Sequence, residues 1–98
     1  MTARMVTYRV KDGRADENAA YVRDVMADLA ARAAEGVTYS VYQLDDGVTF
    51  LHVVDELVDE GALQASEAFQ RFTATLLEDR CAATPELRTM TLVGRYAG

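Results

Sequence analysis

Apolar and polar side chains alternate in the middle of the chain in a way that predicts a β-hairpin without a clearly polar face. Apolar-rich runs extend from Val37 to Leu44 and from Val48 to Val54, and Asp45-Asp46-Gly47 separates them. An Asp-Gly pair between two such runs is typical of a tight two-residue turn with positive φ at both central positions. We therefore expect the chain to turn at Asp46-Gly47 and to pair residues whose numbers sum to 93.

Side chains alternate between the two faces of a strand, so this register assigns every residue of the hairpin to a face. One face carries Tyr39, Val41, Gln43, Phe50, His52 and Val54, and the other carries Ser40, Tyr42, Leu44, Thr49, Leu51 and Val53. In a sheet with one face exposed to solvent, apolar and polar residues alternate regularly along each strand. This hairpin lacks that alternation. We expect both faces of the sheet to be covered.

Two helical patterns and two further strands flank the hairpin. A β-rich run from Met5 to Val10 precedes a helix that we expect to begin at an N-cap, Asp16, and to end at Gly36. A second helix begins near Ser66, and a last strand runs from Glu86 to Tyr96. The apolar stripe of the first helix consists of Val22, Val25, Met26, Leu29 and Ala33. That of the second consists of Ala65, Phe69, Phe72, Thr73 and Leu76.

The order strand, helix, strand, strand, helix, strand predicts an α+β fold of the ferredoxin-like type. In this βαββαβ two-layer sandwich both helices pack on one face of an antiparallel sheet. A chain of 98 residues is long enough for one core, so we expect a single domain over residues 1–98. The other face of the sheet then needs a second molecule, and a two-fold homodimer is the commonest way to cover it.

Composition narrows the classes of partner. The chain has 16 acidic and 10 basic residues, a net charge of -6 that disfavours nucleic acids as partners. It has no apolar run of the ~20 residues that a membrane helix needs, and no signal-peptide pattern at its N-terminus. Cys81 is the only cysteine, which excludes an intrachain disulfide and a cysteine-based metal cluster. We expect a cytoplasmic protein that does not contact membranes.

Four segments resemble the antibiotic biosynthesis monooxygenase family, and together with the connections between them they span nearly the whole chain. They are the strand and turn Val6-Thr7-Tyr8-Arg9-Val10-Lys11-Asp12-Gly13, the hairpin, the helix from Phe69 to Leu77, and the closing strand Thr89-Met90-Thr91-Leu92-Val93-Gly94. The resemblance implies a dimeric α+β barrel in which two ferredoxin-like sheets face each other. It also implies a ligand pocket in each subunit, between the sheet and the helices.

The activities of this family differ from member to member. They include cofactor-free oxidation of aromatic phenols or anthrones to quinones, haem degradation and isomerisation of a signalling molecule. Haem-degrading members use a histidine on the second helix, where this chain has Phe72 and Thr73, and the chain contains no tryptophan. The resemblance therefore implies a cofactor-free oxygenase rather than a haem enzyme, and we expect neither a cofactor nor a metal.

A pocket of this type needs apolar walls and a few polar groups. If Tyr8 faces the helices, the candidates for the substrate pocket are Tyr8, Ser40, Tyr42, Phe69, Phe72 and Thr73. Such a set suits a flat aromatic ligand, with the tyrosine hydroxyls as hydrogen-bond donors. The same residues, at strand and helix spacing, also fit ordinary core packing.

The opposite face of the sheet is then the expected dimer contact. Its candidates are Arg9, Tyr39, Val41, Phe50 and His52, and Arg95 has the parity to join them. On that face either arginine can pair with an acid of the other subunit, and His52 is an interface residue rather than a metal ligand, because no acid shares its face. If His52 instead lies beneath the helices, it becomes a candidate for catalysis, because it is the only side chain expected to titrate near neutral pH.

Three functions remain open at this point. The first is a cofactor-independent monooxygenase acting on a small phenol, anthrone or quinol-like substrate. The second is a non-catalytic dimer on the same scaffold that binds or senses a small molecule. The third is a structural dimer whose partner is another protein, which predicts a fully packed interior.

Overall fold

The computed structural model describes residues 2–56 and 61–98. Four antiparallel strands form one sheet with the order β2-β3-β1-β4. They are β1 (Thr2–Arg9), β2 (Val37–Gln43), β3 (Thr49–Glu56) and β4 (Glu86–Met90). The last strand is shorter than predicted, because strand pairing stops at Met90 rather than at Tyr96.

The helices form a second layer on one face of this sheet. They are α1 (Ala15–Ala31), the short α2 (Gly61–Gln64) and α3 (Glu67–Thr75). A π-helical turn, Leu76–Arg80, continues directly from α3. The predicted ferredoxin-like βαββαβ fold is confirmed, with α2 as an addition that the sequence pattern did not indicate. None of the helices within residues 2–56 and 61–98 has the length and apolar character that crossing a membrane requires.

The hairpin has the predicted register, but its turn is longer than the two-residue turn that we expected. Residues whose numbers sum to 93 are paired from end to end, for example Tyr39 with Val54. The last pair is held by a 2.8 Å hydrogen bond from the Leu44 amide to the Thr49 carbonyl, so four residues rather than two form the loop. Only Gly47 has positive φ, at 77°. The Asp46 carboxylate stabilises the loop by accepting hydrogen bonds from the Thr49 hydroxyl and from the amides of residues 48 and 49, which lower its pKa.

The ends of the helices follow the sequence only in part. The first helix begins at Ala15, so Asp16 lies in its first turn, where an acid favours the helix dipole, and is not the N-cap. This helix ends at Ala31, because Ala33 takes positive φ (48°) before Gly36 is reached. The predicted start of the second helix near Ser66 is confirmed, and the Ser66 hydroxyl caps α3 by accepting the Phe69 amide hydrogen at 3.1 Å.

The sheet faces are assigned differently from the prediction. Tyr8 is paired with Phe50, and side chains of directly opposed residues share a face. Both are buried against the helices, so the whole set that includes Phe50 lies on that side. The predicted dimer-face residues Tyr39, Val41, Phe50 and His52 therefore lie beneath the helices. Ser40 and Tyr42, predicted to line the pocket with Tyr8, lie on the opposite face.

The physical reason for this arrangement is the volume of the side chains on each face. The helix-facing side carries the larger side chains, with Tyr8, Phe50 and Val54 in the buried core. The other side, which we call the open face, is formed by Ala3, Met5, Thr7, Arg9, Thr38, Ser40, Tyr42, Thr49, Leu51, Val53, Asp55, Glu86, Arg88 and Met90. Burying the aromatic side removes more apolar surface from water, which is why the helices pack on it.

Candidate functional site

An apolar cavity lies between the sheet and α3. Its volume is about 120 Å³, and ten side chains from β1, β2, β3, both short helices and the π-helical turn line it. They are Val6, Tyr8, Tyr39, His52, Val54, Leu63, Phe69, Phe72, Thr73 and Leu76. The fold therefore keeps a space at the place where a ligand pocket was expected.

His52 forms the polar part of the cavity wall. It lies on β3 with a relative exposure of 6%, and both of its ring nitrogens are engaged. Nε2 lies 2.7 Å from the Tyr8 hydroxyl, and Nδ1 lies 2.6 Å from the Tyr39 hydroxyl. These three side chains come from three adjacent strands, whose register brings them side by side on the helix-facing side.

The hydrogen-bonded chain continues away from the cavity through two further polar residues. Asn18 of α1 donates from Nδ2 to the Tyr8 hydroxyl at 2.8 Å. Arg80, which is fully buried, donates from Nε to Oδ1 of Asn18 at 2.9 Å. We call the five residues Tyr39, His52, Tyr8, Asn18 and Arg80 the polar chain.

Arg80 owes its position to the π-helical turn. The Cys81 amide donates to the Leu76 carbonyl at 2.8 Å, which widens the last turn by one residue. The Arg80 guanidinium then points inward, where it also donates to the Phe72 carbonyl and the Thr75 hydroxyl, both at 2.6 Å. Its planar face lies 4.1 Å from the centre of the Tyr21 ring, a cation–π contact that helps to hold a buried charge.

Burial keeps the groups around the cavity neutral. Desolvation lowers the pKa of His52 from 6.5 to about 4, so the imidazole is uncharged at neutral pH. The same effect raises the pKa values of Tyr8 and Tyr39 well above that of a free tyrosine, although the hydrogen bond from Asn18 acts in the opposite direction on Tyr8. The site therefore offers neutral hydrogen-bonding groups in an apolar surrounding.

Aromatic contacts fix the walls of the cavity. The His52 ring lies 5.3 Å from the Phe72 ring, at 31° to its plane. Tyr39 meets Phe69 edge to face at a centroid distance of 6.3 Å. Such contacts restrict ring rotation, so the hydroxyl of Tyr39 and the imidazole have defined positions.

The candidates from the sequence are divided between two places. Tyr8, Phe69, Phe72 and Thr73 line the cavity, where Tyr39 and His52 join them from the set predicted for the dimer contact. Ser40 and Tyr42 line a separate groove of about 480 Å³ on the open face. Val41 and Phe50 pack beneath α1 instead, beside Val22. Arg9 is exposed and keeps the predicted position on the open face.

Sequence reasoning missed Asn18 and Arg80. Asn18 precedes Val22 by four residues, and Arg80 follows Leu76 by four. Each therefore continues the apolar stripe of its helix with a polar residue, and this break in the pattern is the signal that identifies them. Cys81 is buried in the core. In the part of the chain that the structure describes, no three His, Cys, Asp or Glu side chains cluster as a metal site requires.

Comparisons of the fold give the same architecture in several solved structures. A structure from Nitrosomonas europaea, whose name proposes an antibiotic biosynthesis monooxygenase, superposes with a TM-score of 0.78 at 13% identity, covering 96% of this chain and 100% of that chain. A crystal structure named antibiotic biosynthesis monooxygenase gives 0.71 at 18% identity, with 96% and 100% coverage. A Pseudomonas aeruginosa protein whose name states no activity gives 0.68 at 22% identity, with 95% and 94% coverage.

The sequence comparisons found no counterpart. No family model matches the chain, and no curated protein matches it. The structural matches have low sequence identity, so they establish a shared fold and not a shared activity. The chain has the fold of structures named antibiotic biosynthesis monooxygenases, as the resemblance of the sequence indicated.

Proposed function

We propose that this protein is a cytoplasmic, cofactor-independent monooxygenase that oxidises a small phenolic or quinol-like ring. The observation that carries the proposal is the apolar cavity whose polar wall consists of His52 and two tyrosines. The fold shared with structures named as monooxygenases supports the reaction class. The single unpaired cysteine, Cys81, fits a reducing compartment.

The size of the cavity favours one aromatic ring. Its volume is about 120 Å³. An engineered apolar cavity of about 150 Å³ binds benzene, so a space of about 120 Å³ has room for one ring at most. A phenol or hydroquinone therefore fits better than a three-ring anthrone, which the sequence left open.

The proposed reaction inserts one atom of O₂ into the ring. A bound phenolate gives one electron to O₂, and the phenoxyl radical and superoxide combine at a ring carbon next to or opposite the oxygen, one that still carries a hydrogen. The peroxide takes up one proton, and loss of water, which carries away the hydrogen of that carbon, leaves a quinone. Phenol plus O₂ thus gives quinone plus water, so the substrate supplies all the electrons.

The protein contributes a dry space and a hydrogen bond to the substrate oxygen. The Tyr8 hydroxyl is occupied by Asn18 and His52, and the Thr73 hydroxyl donates to backbone carbonyls of its own helix. Among the described residues, the Tyr39 hydroxyl has His52 as its only partner. Tyr39 is therefore the residue that we expect to hold the substrate oxygen, and a hydrogen bond to charge is strengthened in an apolar site.

Oxygen consumption by chelator-treated protein tests the proposal. We expect uptake of O₂ with single-ring phenols or hydroquinones, and one atom of ¹⁸O in the product when ¹⁸O₂ is supplied. Tyr39→Phe should lower the rate about 10- to 100-fold, the effect of losing one hydrogen bond to a charged group. Tyr42→Phe, which removes the same hydroxyl on the open face, is the matched control and should retain the rate.

Two other results would lead to the remaining functions. Saturable binding of these compounds without oxygen uptake would refute the monooxygenase and favour the binding or sensing dimer. Absence of binding for the whole series would mean that the cavity holds no ligand of this class, and the structural dimer would be the remaining function.

We also propose that a second copy of the chain covers the open face. Leu51 and Val53 lie at its centre and are only partly buried, and Tyr42 is 59% exposed. The carboxylate of Asp55 lies on the same face, and its Oδ1 is buried without a hydrogen-bond partner among the described residues. An arginine of the second copy, with Arg9 as the candidate on this face, would satisfy that oxygen.

Light scattering after size-exclusion chromatography tests the dimer. Wild-type protein should have twice the mass of the chain at micromolar concentration. Leu51→Asp should give a monomer, because it places a charge at the centre of the contact. Leu77→Asp introduces the same charge on the helical layer, at a side chain that is 62% exposed, and should remain a dimer. A monomeric wild type, or a dimeric Leu51→Asp, would contradict the proposal.

A further inference from the structure

We infer that Arg80, acting through Asn18 and Tyr8, holds His52 in the neutral form that carries its proton on Nδ1. The Tyr39 hydroxyl then reaches the cavity as a hydrogen-bond donor. The first statement depends only on the polar chain. The second deepens the proposed function and rests on it, because it concerns the ligand.

The orientation of the Asn18 amide is the first step. A guanidinium group has only donors, so the Asn18 atom 2.9 Å from Arg80 Nε must be the carbonyl oxygen. The amide nitrogen therefore faces Tyr8 and donates to its hydroxyl oxygen at 2.8 Å. Arg80 is fully buried and is held by two further hydrogen bonds. Rotating the Asn18 amide by 180° would place its NH₂ group against the guanidinium, where two donors would face each other.

The direction of the Tyr8 hydroxyl is the second step. Its oxygen accepts from Asn18, so its own hydrogen needs an acceptor. Tyr8 is 4% exposed, and among the described residues the acceptor within reach is His52 Nε2, at 2.7 Å. The other tautomer would place a hydrogen on Nε2 and leave the Tyr8 hydrogen unsatisfied in the interior. The tautomer with the proton on Nδ1 instead leaves the Tyr39 hydrogen free, and Tyr39 is only partly buried, so that hydrogen can reach water.

The Tyr39 hydroxyl is the last step. Burial keeps His52 neutral, so a bare Nε2 requires the single ring proton to be on Nδ1. This proton is donated to the Tyr39 oxygen, 2.6 Å away. The Tyr39 hydrogen is then directed away from His52, and the Tyr39 side chain lines the cavity.

The consequence is a preference for one chemical class of ligand. A molecule bound against Tyr39 must offer an acceptor oxygen, and a phenolate or a quinone carbonyl does so. The polar chain does not remove a proton from the ligand, because its hydrogen bonds all run toward the cavity. Arg80 and Asn18 are thus positioning residues. They determine whether the Tyr39 hydroxyl meets the ligand as a hydrogen-bond donor or as an acceptor.

Nitrogen-15 NMR of the imidazole tests the tautomer directly. His52 is the only histidine, so protein labelled at histidine gives one pair of ring nitrogens and no overlap. We expect a protonated Nδ1 and a bare Nε2 at neutral pH. The readout does not require substrate, turnover or knowledge of the ligand.

Asn18→Asp should reverse the chain of hydrogen bonds. A carboxylate still pairs with Arg80 but accepts the Tyr8 hydrogen, so the Tyr8 oxygen would accept from Nε2–H of His52 and the ring proton would change sides. Tyr39→Phe is the control, because it leaves Tyr8 and Asn18 intact and should keep the proton on Nδ1. If Asn18→Asp does not fold, Arg80→Gln replaces it, since a glutamine can donate or accept and should give a mixture of the two tautomers.

Binding measured by ¹⁹F NMR tests the ligand class. Pentafluorophenol, an acidic phenol that is ionised at neutral pH, should bind wild type at least about tenfold more tightly than Tyr39→Phe. Hexafluorobenzene, which has no oxygen, should bind both equally. Equal affinity of the phenolate for both proteins would overturn the role of Tyr39 as the donor.

The proposed role of Arg80 and the proposed monooxygenase activity can be refuted independently of each other. A wild-type imidazole protonated on Nε2, or a folded Asn18→Asp with the proton still on Nδ1, would refute the role of Arg80 whether or not the protein is an enzyme. The expected tautomer without oxygen uptake would refute the monooxygenase and leave the polar chain as described.

Discussion

Acid should destabilise this protein through one side chain, His52. The native structure buries a neutral imidazole and engages both of its nitrogens, so the pKa falls from the ordinary 6.5 to about 4. The unfolded chain therefore binds a proton more readily than the native protein between these two values. Stability from this residue is complete above pH 6.5 and is lost as the pH falls toward 4.

The size of the effect follows from the two pKa values. Each pH unit within the window changes the free energy of unfolding by up to about 1.4 kcal/mol for one proton. At pH 4 the accumulated loss is about 3 kcal/mol. This is a large part of the ~5–15 kcal/mol that a small domain possesses.

Urea unfolding followed by circular dichroism gives the measurement. Wild type and His52→Gln should be compared at several pH values in the window, at one protein concentration, because a dimer makes stability depend on concentration. The slope should be steep in wild type and nearly flat in the variant. Asp46 does not interfere, because a lowered carboxylate pKa removes stability only below its ordinary 3.8. Equal slopes in the two proteins would refute the buried, neutral His52.

Three further changes have defined outcomes. Burial raises the pKa of Tyr39 above its ordinary 10.0, so wild type should lose stability above that pH, and thermal melts of Tyr39→Phe should fall less steeply there. Ser66→Ala removes both the cap of α3 and the hydrogen bond from the Ser66 hydroxyl to the Asp28 carboxylate, so it should cost about 2 kcal/mol in urea unfolding, whereas Ser40→Ala, which removes neither, should cost less than half as much. Gly47→Ala should cost about 1 kcal/mol because of its positive φ, and equal stability of this variant and Gly94→Ala would contradict that reason.

The sequence was sufficient where one local rule decided the outcome. The hairpin register followed from Asp46-Gly47 although the turn itself is longer, because adding one residue on each side of a turn leaves the pairing unchanged. The start of α3 near Ser66 followed from the preference of a helix N-terminus for a hydroxyl side chain. The order of the elements then left the ferredoxin-like plan as the arrangement that buries both apolar stripes.

The sequence alone did not predict features that depend on contacts between segments far apart in the chain. Both faces of the hairpin are apolar, so no local pattern states which of them meets the helices. That decision depends on the pairing of Tyr8 with Phe50, a contact between residues far apart in the chain. Ser40 and Tyr42 were therefore expected beside Tyr8, although they lie on the opposite face of the sheet. No local pattern indicated that Asn18 and Arg80 would approach Tyr8 from the helical layer.

The π-helical turn makes the site sensitive to the length of the chain at one point. Deleting a single residue within Leu76–Arg80 would allow ordinary α-helical hydrogen bonding to continue, and each residue of an α-helix advances by about 100°. The guanidinium would then rotate out of the interior, while the composition of the segment would hardly change. Homologues that differ here by one insertion or deletion should have lost the buried arginine, even where Tyr8, Tyr39 and His52 are all retained. An alignment that tolerates a gap at this position would thus separate two groups of proteins with the same fold and differently organised pockets.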